Sequence, residues 1–202
     1  MDIGTYITIL ISTIFVNNFI LSRFLGLCSF IGISKQVGPA VSMGAAVTFV
    51  TVMASLMTWL IYEFILVPFD LEYLRTLSFI LVIASFVQFT EIFIQKKSPA
   101  LYKLFGIYLP LITVNCAVLG VAVLNTDMFF LGPKALSGSF MKSIVQGFGA
   151  GAGYTLAMFL MSGIRERLEF SDVPQSLKDV PITFIIASIM SMAFLGFSGF
   201  KI

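Results

Sequence analysis

The sequence predicts an all-α polytopic membrane protein with six transmembrane helices. Of its 202 residues, 58% are hydrophobic and 11% are charged. A soluble domain carries roughly 25% charged residues, so this chain lacks the polar surface to cover a particle in water. Six apolar segments approach the roughly 20 residues a spanning helix needs. The stretches between them are short and rich in Pro, Gly and charge.

The six segments cover about 5–22, 40–62, 74–94, 101–124, 140–163 and 181–199. Lys35 to Pro39 punctuates the first connection and Pro68-Phe69-Asp70 the second. Lys96 to Pro99 follows the third span and Gly132-Pro133-Lys134 precedes the fifth. Arg165 to Asp179 lies before the sixth. No connection is long enough for an extramembrane domain, so residues 1–202 form a single transmembrane domain. Met1-Asp2-Ile3-Gly4 lacks the basic start of a signal peptide, so the first segment is expected to be a retained helix.

Basic residues set orientation. Arg23, Lys35, Lys96, Lys97, Lys103, Arg165, Arg167 and Lys178 follow the odd-numbered spans, whereas Arg75, Lys134, Lys142 and Lys201 lie on the other side. Eight against four places the odd connections in the cytoplasm and both termini outside. The net charge of +2 gives no footprint for nucleic acid.

The first apolar stretch, Ile3 to Ile33, is 31 residues long and is interrupted by Asn17-Asn18, Arg23, Gly26 and Gly32. The fourth span contains Pro110, Thr113, Asn115 and Gly120. Both read as broken helices, whose freed backbone groups must be satisfied by protein or water. Asn and Cys recur near Gly in both, and Ile83-Ala84-Ser85 in span three is repeated as Ile186-Ala187-Ser188 in span six. These echoes predict two three-helix repeats, about 1–97 and 98–202, with opposite topology because three is odd. Broken helices in inverted repeats line sites near the bilayer midplane.

Cys28 and Cys116 are the two cysteines, and histidine is absent. If the repeats are related, the thiols face one another near the pseudo-twofold axis. They would then be half the usual ligand set of an iron–sulfur cluster, and a partner chain would complete it. The alternative is two buried cysteines acting as small hydrophobes. Asn17, Asn18, Asn115, Gln88, Thr90 and Glu91 are polar groups in apolar spans. They suit either an ion path or cofactor scaffold, or interhelical hydrogen bonding; for Glu91, near Lys96, snorkelling to the interface is the simpler role. Gly147 to Gly153 alternates glycine with other residues inside span five. It is expected to pack helices closely, since no strand–turn–helix surrounds it to make a dinucleotide site. No Walker motif, catalytic triad or flavin-anchoring stretch occurs, so no complete active site is expected in this chain alone.

Particular stretches resemble a known family. They are Val16-Asn17-Asn18-Phe19, Phe24 to Cys28, Leu74 to Leu77, Val87 to Glu91, Leu109 to Ala117, Arg165-Glu166-Arg167 with Ser171 to Pro174, and Phe197-Ser198-Gly199. The chain resembles the A-type membrane component of the Rnf complex over essentially its whole length, a family shared with the E-type component of the Na⁺-translocating NADH:quinone reductase. That resemblance implies a membrane subunit of a translocase-type oxidoreductase in the prokaryotic plasma (inner) membrane, coupling electron flow between ferredoxin and NAD to Na⁺ or H⁺ movement. It implies a homologous six-helix sister subunit of opposite topology, with a [2Fe–2S] cluster held between them by two cysteines from each. Cys28 and Cys116 match those ligands residue by residue. Further subunits bearing flavin and iron–sulfur groups are implied as partners. A secondary transporter with inverted repeats and no redox centre is the alternative reading.

Overall fold

The structure, a computed structural model, describes residues 3–69, 72–97, 111–112, 115–130, 139–171, 174 and 177–199. The described residues form helices and turns. The first half of the expected fourth span lies outside them, as do Lys103, Pro110, Thr113, Lys134 and Lys201.

The first span is broken twice. Helix α1 (Ile3–Ile11) widens into a π-helical turn at Ser12–Val16. Asn18 then leaves helical geometry (φ −64°, ψ 114°) and caps α2 (Phe19–Arg23). Phe24 takes a positive φ of 54° and Gly26 one of 82°, and α3 (Leu27–Ile33) follows. The left-handed backbone that Gly26 adopts is accessible to glycine without a Cβ penalty. A Cβ there would also sit 3.1 Å from Asn115 Oδ1, so glycine serves both conformation and contact.

Helix α4 (Val37–Ile61) begins earlier than its punctuation suggests and runs into a π-helical turn at Tyr62–Leu66. Pro39 falls in the first helical turn, where its missing N–H would have had no intrahelical partner. Helix α5 spans Arg75–Lys97. In the fourth span, Asn115 (φ −70°, ψ 114°) breaks the chain and caps α6 (Cys116–Asn125), which ends in a π-helical turn at Thr126–Phe130. Helix α7 (Ser139–Leu168) and α8 (Val180–Leu195) complete the order. Among the described residues, three helices are long and apolar enough to cross a membrane (Val37–Leu66, Arg75–Ile92 and Phe140–Leu168), while Gly4–Val16, Cys116–Met128 and Val180–Leu195 are shorter apolar helices.

Helix α7 is the centre of the packing, and its glycines explain why. Residues two apart on a helix point about 200° apart, and residues four apart nearly superpose. Gly147 and Gly151 therefore share one face, and Gly149 and Gly153 share the opposite one. On the first face, a Cβ at Gly151 would lie 2.6 Å from Thr48 Cα, and one at Gly147 would lie 2.6 Å from Ser55 Oγ. From the other side, a Cβ at Gly44 would lie 2.7 Å from the Thr155 side chain. Trp59 meets Phe140 edge-on at 4.9 Å. Those pairs run in opposite senses, so α4 and α7 lie antiparallel with backbones nearly touching. On the second face, Gly149 abuts Thr13, and Gly153 abuts Ile14 and Asn18. The glycine run thus packs helices, as expected from sequence.

Several hydroxyls inside the spans are satisfied within their own helices. Thr13 donates to Ile9 O at 2.7 Å, Thr48 to Gly44 O at 2.7 Å, Ser55 to Thr51 O at 2.8 Å and Thr58 to Ala54 O at 2.7 Å. Such back-bonding lets a polar group reside where no water is available.

Ion pairs and hydrogen bonds sort the connections. At one end of α7, Arg165 donates to Ile31 O and Ser34 Oγ, both at 2.8 Å, and Lys35 pairs with Asp179 at 3.3 Å. Toward its other end, Arg75 pairs with Asp127 at 2.9 Å. Connections after the first and fifth spans therefore meet at one end, and those after the second and fourth at the other. This is the alternation a multi-pass membrane protein requires. Helix α5 is the most peripheral of the long spans, with 17% of its apolar window buried against 56% for α7. Its exposed face carries Leu77, Leu81, Gln88 and Phe89.

Candidate functional site

The two breaks have the same local construction. Asn18 Oδ1 accepts from Ile20 N at 3.2 Å, and Asn115 Oδ1 accepts from Ala117 N at 3.0 Å. Each asparagine is buried, in extended backbone, and replaces by its side chain a helical acceptor that the break removes. Asn18 Nδ2 also donates to Gly153 O at 2.8 Å and Ile14 O at 3.2 Å, which fastens the first break to α7. Asn17, next to it, is exposed.

A second set of contacts joins the breaks to each other. Ser29 Oγ lies 2.6 Å from Tyr154 Oη, donates to Gly26 O at 3.0 Å, and accepts from Asn115 Nδ2 at 3.4 Å. A serine hydroxyl has one donor and two acceptor sites. With its proton on Gly26 O, it accepts from both Tyr154 and Asn115, so its capacity is filled. Ser29 and Tyr154 are buried at 0% and 2% exposure, so no water competes. Cys28 precedes Ser29, and Cys116 follows Asn115. The hydrogen bond between their neighbours brings the two cysteine segments together.

Both cysteines are exposed on the single chain. Cys116 directly follows its capping asparagine and occupies the first position of α6, and Cys28 is the second residue of α3, two beyond Gly26. Each therefore lies in the first turn of the helix that follows a break. Among the described residues no three His, Cys, Asp or Glu side chains gather as a metal site. A four-ligand group at these thiols must draw ligands from another chain.

Of the other polar residues singled out from sequence, Thr90 donates to Phe86 O at 2.9 Å within its helix, and Gln88 is exposed on α5. Glu91 is half-buried on the same helix. None of the three joins the cysteine region in the contacts observed. Ser29 and Tyr154 were not singled out from sequence. The only available signal was a tyrosine ending a glycine stripe.

These features define a class: a helical membrane protein whose spans break at capped asparagines beside exposed cysteines, around one glycine-rich central helix. The family described as Rnf-Nqr subunit, membrane protein, matches residues 6–201. The chain belongs to the Rnf-Nqr family of membrane proteins. It is 54% identical over 194 residues to the A-type subunit of the ion-translocating oxidoreductase complex of Serratia proteamaculans, covering 96% of each chain. It is 54% identical over 198 residues to the A-type subunit of the Na(+)-translocating ferredoxin:NAD(+) oxidoreductase complex of Acetobacterium woodii, covering 98% of this chain and 99% of that one. The corresponding protein of an Azoarcus species is 53% identical over 194 residues, covering 96% of each chain.

Proposed function

We propose that this chain is the A-type membrane subunit of an ion-translocating ferredoxin:NAD oxidoreductase complex. The observation that carries the proposal is likeness above 50% across nearly the full length to subunits so named. Six spans then form two inverted three-helix repeats, in the prokaryotic plasma membrane, with both termini outside. The matched caps at Asn18 and Asn115 support the repeat. The eight-to-four basic bias supports the orientation.

In this proposal, Cys28 and Cys116 are two of the four thiolate ligands of a [2Fe–2S] cluster completed by a sister six-helix subunit. The fit rests on the donor set: two exposed soft ligands on segments joined through Ser29 and Asn115. Such a cluster, when bound, takes up and releases one electron in a dry interior. The chain's residues supply the frame. Asn18 and Asn115 hold the breaks open, and Tyr154 and Ser29 brace one against the other. An electron arriving beside these thiols adds one negative charge. A cation 4 Å away would feel an attraction of about 4 kcal/mol at an effective dielectric of about 20. That is enough to bias the entry of Na⁺ or H⁺ and so couple the two movements.

Serine nearly matches cysteine in size but lacks the soft sulfur, so Cys28→Ser and Cys116→Ser test ligation with little change in packing. Each variant, in the assembled complex, is expected to insert normally and to lose or severely alter the cluster's electron paramagnetic resonance signal. Electron transfer and coupled ion movement should fall together. An intact signal with normal turnover in both variants would refute the ligand assignment. A complex that moves ions without holding iron would favour a transporter without redox chemistry.

A further inference from the structure

Two hollows meet on the outer side of α7 near its C-terminal end. The first is a cleft of about 700 Å³ whose walls include Lys35, Arg165, Lys178, Glu169 and Asp179. The second is a largely apolar groove of about 380 Å³ running from Phe159 and Leu160 past Gly163 to Leu168, with Arg167 adding a further cation to its wall. Leu168 and Ser171 line both, so the charged cleft opens directly into the apolar groove.

The charges in the cleft are not all committed. Lys35 and Asp179 pair at 3.3 Å. Arg165 uses Nη1 to hold Ile31 O and Ser34 Oγ, which fixes its guanidinium in place. Three cations against two carboxylates leave the lining with one positive charge, the complement of a monoanionic phosphodiester. Phe170, 89% exposed at the rim, is the kind of residue that anchors at a membrane interface.

The groove has the dimensions of one acyl chain. Phe159 to Leu168 is nine helical steps, about 14 Å. One leaflet of a hydrocarbon core is about 15 Å deep. Its floor lies open at Gly163, where an added Cβ would meet nothing within 4 Å.

We propose that this double hollow is a binding site for one glycerophospholipid. The phosphodiester lies in the cleft between Arg165 and Lys178, and an acyl chain lies over Gly163. Arg165, already bonded to the end of α3, then couples lipid occupancy to the join between the first and fifth spans. Neither Cys28 nor Cys116 lines the two hollows, and the proposal does not depend on their role.

The test uses the whole complex purified in mild detergent, followed by native mass spectrometry and phospholipid analysis. The unmodified protein should retain one phospholipid per copy of this chain. After delipidation, phosphatidylglycerol or phosphatidylethanolamine should rebind and raise the thermal midpoint, whereas inorganic phosphate alone should do neither. Gly163→Phe fills the groove without displacing protein and should abolish retention. Lys178→Gln should weaken rebinding about fivefold, the effect of one basic residue near a lipid phosphate. Retention unchanged in both variants would overturn the proposal, as would saturable binding of inorganic phosphate with no lipid bound. A protein partner shielding Lys178 and Phe170 in the delipidated complex would overturn it too.

Discussion

Replacing Gly151 with alanine probes a close backbone approach between α7 and α4. The new Cβ would lie 2.6 Å from Thr48 Cα and 2.8 Å from Thr48 Cβ. Carbon atoms pack comfortably at about 3.5–4.0 Å, so the helices must separate locally by about 1 Å. No rotamer change relieves the clash, because its nearest atom is backbone. Overpacking of this kind costs about 1–3 kcal/mol, offset by roughly 0.8–1.0 kcal/mol of better helix propensity. Separation also loosens the Gly147–Ser55 and Gly44–Thr155 approaches on the same seam. The expected net loss is up to about 2 kcal/mol, and the expected deficit relative to Gly163→Ala is about 1–3 kcal/mol. Gly163→Ala on the same helix is the control, because a Cβ there meets open space and only propensity changes; it should gain up to about 1 kcal/mol. Unfolding in mixed micelles with rising sodium dodecyl sulfate measures both. The single tryptophan, Trp59, reports on this seam because it stacks edge-on against Phe140 at 4.9 Å. Finding Gly151→Ala as stable as Gly163→Ala would refute the close packing of α4 on α7.

Two further outcomes are expected. Asn18→Ala should cost about 2 kcal/mol, combining loss of a helix cap with loss of the buried bond to Gly153 O, while Asn18→Ser should recover part of it by retaining the cap; the same unfolding assay decides, and two neutral variants would remove Asn18 from the scaffold. The Arg75–Asp127 pair, whose aspartate side chain is 50% exposed, should show a coupling below about 1 kcal/mol in a double-mutant cycle with alanine, and less in high salt. A larger, salt-independent coupling would mean that the pair is buried in the working assembly.

The apolar runs and their interruptions were legible because lipid demands length and because asparagine and glycine disrupt a helix wherever they fall. Contact faces were not legible in the same way. In a soluble helix polarity marks the side facing water, but here both sides are apolar. Gly147 and Gly149 look alike in sequence, yet they pack on different helices. Asn17 and Asn18 are chemically identical neighbours, one exposed and one buried in three hydrogen bonds. Only the turn of the chain between α1 and α2 decides which points inward. The bracing role of Tyr154 arises from contacts across 125 residues of sequence, which no local pattern announces.

The two-faced glycine stripe restricts how this protein can move. A helix smooth on one side can roll against its neighbour, exchanging one small residue for the next. Helix α7 is keyed on both sides at once. A roll of one residue, about 100°, would turn its glycines away from both slots and present Phe148 or Tyr154 in their place. It therefore behaves as a fixed shaft. The broken segments around Asn18 and Asn115 both attach to it, through Gly153 and through Tyr154 by way of Ser29. Both breaks are thus anchored to a helix that cannot roll without parting from its neighbours.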